Sequence, residues 1–358
     1  MTMDEKQFAE SSTWTELCSQ AEVWQTIVAQ SRTNGVLREI LSRSNEKKEW
    51  LFVGCGTSFY LAEAAAVSWT TLTGEAARPI PASEVILFPE LLQASSAPKQ
   101  AIVISRSGRT SEAVRAAAVL RQRLRMPTTG ITCAENSELE QECDLSMVLR
   151  AADEKSTVMT RSFTSMLLCL QVLAACRAGK PQFIDSLVGM AKQFASQLPT
   201  VAERMRTFVH QHEIADYIFL GQGAFHGIAR EAALKVMEMS CSYSQFFHAL
   251  EFRHGPKAIV SPVTCLTFAL SETGKEAEGE VLSEMKELGA IIVAICNRAN
   301  EQIRRAADLL IEMDFRAEEI ALLAPSVVPC QMMGFFTGLQ KGLNPDQPKN
   351  LTRVVILD

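Results

Sequence analysis

The amino-acid sequence predicts an α/β chain made of two copies of one plan. Apolar strand-like runs alternate with helix-period segments along most of the 358 residues, the pattern of parallel sheets joined by crossover helices. Two glycine turns, Gly54-Cys55-Gly56 and Gly221-Gln222-Gly223, each follow an apolar run and precede a helical one. After both turns the signals come in the same order: helix, strand, Ser/Thr-rich turn, helix, strand. The repeated unit is about 150 residues, an ordinary domain size.

Leu51-Phe52-Val53 reads as the first strand, and the Ala-rich stretch from about Ser58 as its helix. Ala101–Ile104 is the next strand and runs into a turn of Ser and Gly, followed by a helix from Ser111 to about Leu124. Thr128–Thr132 and Leu145–Leu149 are further strands. Phe163–Ala178 and Phe183–Val209 keep helical periodicity with no strand signal between them, so they form a helical joint. The alternation then restarts. Asp216–Leu220 is a strand, and its glycine turn leads to a helix from about Phe225 to Ser240. Cys265–Leu270 is a strand ending in Ser271-Glu272-Thr273-Gly274, with a helix from Glu276 to Leu288. Ala290–Cys296 and Asp308–Ile311 read as strands, and Ser326–Leu343 as a long apolar helix. The expected organisation is an N-terminal helical arm over 1–34, a first α/β domain over 35–200, a second over 201–345, and a C-terminal tail over 346–358.

Composition excludes several classes. Hydrophobic residues are 47% and charged residues 21%, as in globular proteins rather than disordered ones. The net charge is −6, with no basic patch interleaved with aromatics, which argues against a nucleic-acid partner. The 10 cysteines are scattered without a C-x-x-C, which argues against a zinc site and a disulfide framework. The polar N-terminus is not a signal peptide, and the longest apolar run, Met166–Cys176, is too short to span a bilayer. A cytoplasmic chain with no membrane partner is expected.

Open parallel sheets bind ligands beyond the C-terminal ends of their strands. Ser105-Arg106-Ser107-Gly108-Arg109-Thr110 falls there, between a strand and a helix start. Backbone N–H groups at a helix N-terminus favour an anion, Gly108 permits a tight turn, and Ser105, Ser107 and Thr110 add hydroxyl donors. The plainer reading is an N-cap and turn, where Ser and Gly are the default residues. The matching turn in the second half carries Glu272, which repels phosphate, so one complete cradle per chain is expected. A dinucleotide reading is weak: the Gly54 turn lacks a third glycine, and in the Gly221 turn Gly227 comes one position late. Thr57 and Ser58 fit better as further hydroxyl ligands.

Glu231, Lys235 and Glu238 lie at i, i+4 and i+7, within one narrow stripe of a helix otherwise nearly all apolar. A solvated Glu–Lys face explains this spacing. So does an acid–base site, because the helix follows a glycine turn and its first turns border the crevice; crowded carboxylates and an ammonium in a partly dry site are pushed apart in pKa. His254, in a turn closed by Gly255-Pro256, is either a further acid or base or a residue that fixes the loop.

Taken together, Cys55-Gly56-Thr57-Ser58, Ser105–Thr110, Arg161-Ser162-Phe163-Thr164, Glu231–Glu238, Glu251–Pro256 and Asp346-Gln347-Pro348 resemble the tandem sugar isomerase (SIS) family. The likeness is to the isomerase half of glucosamine-6-phosphate synthase and to stand-alone tagatose-6-phosphate ketose/aldose isomerases and galactosamine-6-phosphate deaminases. It implies two tandem flavodoxin-like subdomains, each a parallel sheet between helix layers. It implies a homodimer acting on a sugar 6-phosphate with no metal and no cofactor, and a C-terminal tail that closes the active site. By the same resemblance Ser58, Ser105, Ser107 and Thr110 hold the phosphate, with Thr57 and the backbone at Arg106 beside them. Glu238 shuttles a proton between C1 and C2. His254, given by the neighbouring subunit, opens the ring. Glu231 and Lys235 polarise the site, and Glu154 and Thr157 match the loop that contacts the sugar.

Two departures stand out. The first strand comes by Leu51, which leaves no room for a glutaminase domain, so no ammonia is expected from glutamine. The position of the family's Schiff-base lysine is Arg353, whose guanidinium stays protonated and forms no imine. Arg353 is therefore expected to act electrostatically on a substrate oxygen or the phosphate. The expected activity is a phosphosugar isomerase or aminosugar-phosphate deaminase. The alternatives are a deglycase of fructosamine-type 6-phosphates and a sugar-phosphate sensor without turnover.

Overall fold

A computed structural model describes residues 8, 10–43, 48–93 and 97–357. The arm expected over 1–34 and the tail over 346–358 are thus described without residues 1–7, 9 and 358. The chain forms two compact units, each discontinuous in sequence. The first-sheet unit comprises Glu22–Glu154, Arg161–Val188 and Thr352–Asp358; the second-sheet unit comprises Met1–Ala21, Lys155–Thr160 and Gly189–Leu351.

The first-sheet unit holds β1 (Glu49–Gly54), β2 (Ala77–Pro81), β3 (Lys99–Ile104), β4 (Thr128–Thr132) and β5 (Leu145–Val148). All pair in parallel, in the order β2-β1-β3-β4-β5. This is the flavodoxin-like order, which reverses direction between β1 and β3. Alternate residues of β1 serve opposite faces. Leu51 and Val53 pack with Ala113, Ala116 and Leu120 on one side. Trp50 and Phe52 meet Trp69 of the Thr57–Thr73 helix on the other. Burial on both faces explains why the strand reads as an uninterrupted apolar run.

The second-sheet unit repeats the plan with β6 (Asp216–Gly221), β7 (Ser244–His248), β8 (Thr264–Ala269), β9 (Ile291–Cys296) and β10 (Leu309–Glu312). Its order, β10-β9-β8-β6-β7, is the same one read from the opposite edge. Ile218 and Leu220 pack with Val281, Leu282 and Met285 on one face, and the Phe225–Ser240 helix covers the other.

Two strands lie outside the sequence expectations, and two expectations need correction. β2 and β7 carry no apolar-run signal; each is one of the two edge strands of its sheet, where prolines and polar residues are tolerated. The helix expected from Ser111 to Leu124 is α only over Ser111–Ala118 and widens into a π-turn over Val119–Arg123, closed by Leu124 N–H donating to Val119 O. No Pro or Gly in that stretch signals the change. Finally, Glu319–Gln340 is long and apolar enough to cross a membrane by length and composition, and its apolar window is entirely buried within the protein. Pro325, Ser326, Pro329 and Gln331 interrupt its apolar residues, so it does not stand out as one run.

Candidate functional site

In the first-sheet unit the turns after β1 and β3 emerge side by side, because Val53 pairs with Val103. Gly54 closes the first turn so tightly that a Cβ there would lie 2.5 Å from the Ser58 backbone. Gly221 does the same in the other unit, 2.2 Å from the Phe225 carbonyl oxygen. The two glycines are structural counterparts. Thr57 and Ser58 open the helix behind the first turn and are both buried.

The Ser105–Thr110 turn is fixed at Gly108, whose φ of +62° is left-handed and whose Cβ would sit 2.3 Å from Ser137 Oγ. Gly108 N–H donates to Ser105 O at 3.1 Å, and Arg109 N–H to Ser107 Oγ at 3.2 Å. Thr110 is the N-cap of the Ser111–Ala118 helix, but its hydroxyl does not cap it. It lies instead 3.5 Å from Ser105 Oγ, so the two hydroxyls converge. Arg106 turns its side chain away into the protein. Its guanidinium lies 3.7 Å from the fully buried carboxylate of Glu154 and donates to the Arg353 carbonyl at 3.0 Å. Ser162 Oγ also donates to Glu154.

The tail runs along the start of this helix. Ser111 N–H donates to Val355 O at 3.2 Å, Leu357 N–H donates to Ser111 Oγ at 2.9 Å, and Arg115 donates to Leu357 O at 3.2 Å. One N–H at the helix start, read from sequence as available to an anion, is therefore held by the tail. Arg353 forms an ion pair with Asp153 at 2.7 Å. Thr157 lies in the Lys155–Thr160 segment, which belongs to the second-sheet unit.

In the second-sheet unit the counterpart turn after β8 has its donors taken by carboxylates. Ser271 donates from N–H and Oγ to Glu278 at 2.8 and 2.9 Å. Thr273 donates in the same way to Glu319 at 3.0 and 2.8 Å. Burial, with Glu319 nearby, pushes the Glu278 carboxyl up to about 7 against its bonds from Ser271. The filled turn reaches further than the sequence, which pointed only to Glu272.

The Glu231, Lys235 and Glu238 stripe lies on the Phe225–Ser240 helix. Glu231 and Lys235 are 0% exposed and the Glu238 side chain 18%, so the solvated-face reading does not hold. Lys235 Nζ sits 3.3 Å from Glu231 and donates to Glu238. Burial alone would lower the lysine's pKa, but the two carboxylates more than offset it, and the net shift is upward. Lys235 is a fixed ammonium bridging two carboxylates, and only Glu238 reaches solvent.

What makes this helix so deeply buried was missed from sequence. Gly334 and Gly338 of the Leu323–Gln340 helix let that helix press directly on its backbone. A Cβ at Gly334 would lie 2.8 Å from Lys235 O, and one at Gly338 2.3 Å from Met239 O. The signal was present as small residues four apart, Gly334-Phe335-Phe336-Thr337-Gly338. His254 is exposed, and Glu284 clips its loop by accepting from Arg253 at 2.8 Å and Lys257 at 2.7 Å. His226 and His248 stack with ring centroids 3.8 Å apart.

The SIS domain model matches residues 45–176 and 213–336. The chain belongs to the SIS domain family. A glucosamine-6-phosphate deaminase from Thermotoga maritima is 29% identical, with a TM-score of 0.78, over 97% of this chain and 100% of that one. The tagatose-6-phosphate ketose/aldose isomerase of Escherichia coli shares the SIS fold at a TM-score of 0.85 and 22% identity, over 98% of this chain and 97% of that one. The glutamine–fructose-6-phosphate aminotransferase of Methanothermobacter thermautotrophicus is 27% identical over 333 residues, covering 90% of this chain and 53% of that protein. The chain spans about half the length of the curated relatives it matches.

Proposed function

We propose that this SIS chain moves a proton between C1 and C2 of a hexose or hexosamine 6-phosphate. Ser105, Ser107 and Thr110, with Thr57 and Ser58, take the phosphate. His254 opens the ring. Glu238 removes the C2 proton and returns it at C1 through an enediol or enolamine. With a hydroxyl at C2, these steps convert aldose to ketose. With an amino group there, the product is an imine, and water releases ammonia from it. The whole-length likeness to a protein named as a glucosamine-6-phosphate deaminase favours the amino sugar.

The observation that carries this reading is the Glu231–Lys235–Glu238 stripe, buried except at Glu238. Lys235 stays an ammonium and Glu231 has no exposure, which leaves Glu238 as the group able to pass a proton outward. The filled turn after β8 supports a single phosphate site on the Ser105 side. The test is a panel of hexose and hexosamine 6-phosphates scored for ketose, ammonia and exchange of the C2 proton with solvent deuterium. Wild-type protein is expected to exchange that proton and Glu238→Gln to lose exchange. Exchange at the wild-type rate in Glu238→Gln removes this glutamate from the mechanism.

We also propose a homodimer in which His254 serves the partner's site; its exposed ring on a clipped loop suits that role. Mixing inactive Glu238→Gln and His254→Ala proteins then restores activity, because mixed dimers contain one intact site. No recovery after verified subunit exchange rejects the shared site.

A further inference from the structure

We infer that Glu16 is a positioning residue for the segment that carries Thr157, the residue that the family resemblance sets against the sugar, an inference that rests on the functional reading above. Glu16 lies on the Ser12–Cys18 helix of the second-sheet unit and is 3% exposed. Its carboxylate accepts the Lys155 N–H at 2.5 Å, the Ser156 N–H at 3.4 Å, and the Ser156 hydroxyl. Four residues on, Gln20 donates to Gln331 at 2.9 Å, and Gln331 donates to the Thr160 carbonyl at 3.3 Å. One face of the N-terminal arm therefore ties down both ends of Lys155–Thr160, with Thr157 in the span between.

The arm is itself anchored. Asp346 accepts the Ser12 and Thr13 N–H groups at 3.1 and 2.8 Å at the start of the same helix. A carboxylate this buried is a costly choice for simple packing, whereas it is well suited to collecting several backbone donors at once. The three donors it gathers belong to two consecutive residues, a geometry that fixes the direction in which the chain leaves towards Thr157. Without the carboxylate those donors turn to solvent and the segment loses its single conformation.

The test compares Glu16→Ala, Glu16→Gln and Ser156→Ala in full-length protein, using the best substrate of the panel. Glu16→Ala is expected to raise KM about tenfold or more while kcat changes less than about threefold, since ground-state positioning is lost and Glu238 is untouched. Glu16→Gln keeps an acceptor oxygen and is expected to recover most of the loss. Ser156→Ala should raise KM in the same direction, and the double variant should do no worse than Glu16→Ala alone. Hydrogen exchange at the Lys155 and Ser156 amides should quicken in Glu16→Ala with the sheet strands unchanged, a readout that needs no substrate. An active wild type with unchanged KM in Glu16→Ala overturns the inference alone. A wild type inert on the whole panel overturns the functional reading and this inference with it.

Discussion

Gly338→Ala tests how the acid–base stripe is buried. The added Cβ would lie 2.3 Å from the Met239 carbonyl oxygen, whereas ordinary contact begins at 3.4 Å. The Leu323–Gln340 and Phe225–Ser240 helices must therefore part by about 1 Å, and a gap of that size forfeits up to about half of each dispersion contact across the seam. Overpacking of this kind costs about 1–3 kcal/mol, and backbone meeting backbone puts the expected value at the upper end. At about 2–4 °C per kcal/mol for units of this size, the melting temperature falls by roughly 6–12 °C. Glu238 rides on the displaced helix, and a misplacement of about 1 Å costs on the order of 100-fold in rate. Gly334→Ala should show a weaker version, because one of its close neighbours is the flexible Met239 Cε at 2.9 Å. Gly189→Ala is the control: a Cβ there meets nothing within 4 Å, and it lies in the Pro181–Gln211 helix. It should stabilise by about 1 kcal/mol through helix propensity. The assays are thermal melting and C2 proton exchange. If Gly338→Ala melts and exchanges like the wild type, the direct backbone contact is wrong.

Glu278 gives a pH signature. Its carboxyl is raised from 4.5 to about 7 in the folded state. Folding therefore binds this proton more tightly, so the group's contribution to stability is fully present below about pH 4.5 and is lost as pH rises through 7. The loss is about 3 kcal/mol at ~1.4 kcal/mol per unit. Glu278→Gln should gain on the wild type by up to that amount at pH 8 and by nothing at pH 4, measured by urea denaturation at both pH values. Asp346→Ala removes the acceptor for the Ser12 and Thr13 N–H groups; a loss of about 1–2 kcal/mol in the same denaturation assay is expected. Borohydride added with substrate should trap no covalent adduct by mass spectrometry, because Arg353 forms no imine and Lys235 is held as an ammonium. An adduct would move the amine chemistry to another lysine, such as Lys349.

The sequence by itself determined the doubled α/β plan, the central strands and the two glycine turns. A strand buried on both faces must be apolar throughout, and a turn that admits no Cβ must be glycine, so both constraints are local and visible. The spacing of Glu231, Lys235 and Glu238 was equally legible, since three residues on one helix share a face whatever surrounds them. Their burial was not. A solvated pair and a dry triad have the same spacing, and contact with Gly334 and Gly338, about a hundred positions away in the chain, decides between them. The same holds for the filled turn, where Glu319 reaches Thr273 across 46 positions. It also holds for the tail, whose Val355 carbonyl takes the Ser111 N–H. The edge strands β2 and β7 were hidden because their residues, Ala-Arg-Pro-Ile-Pro and Ser-Gln-Phe-Phe-His, make no apolar run, whereas the opposite edges, β5 and β10, keep a readable one. Periodicity records which way a side chain points, and only the packed chain decides what it meets there.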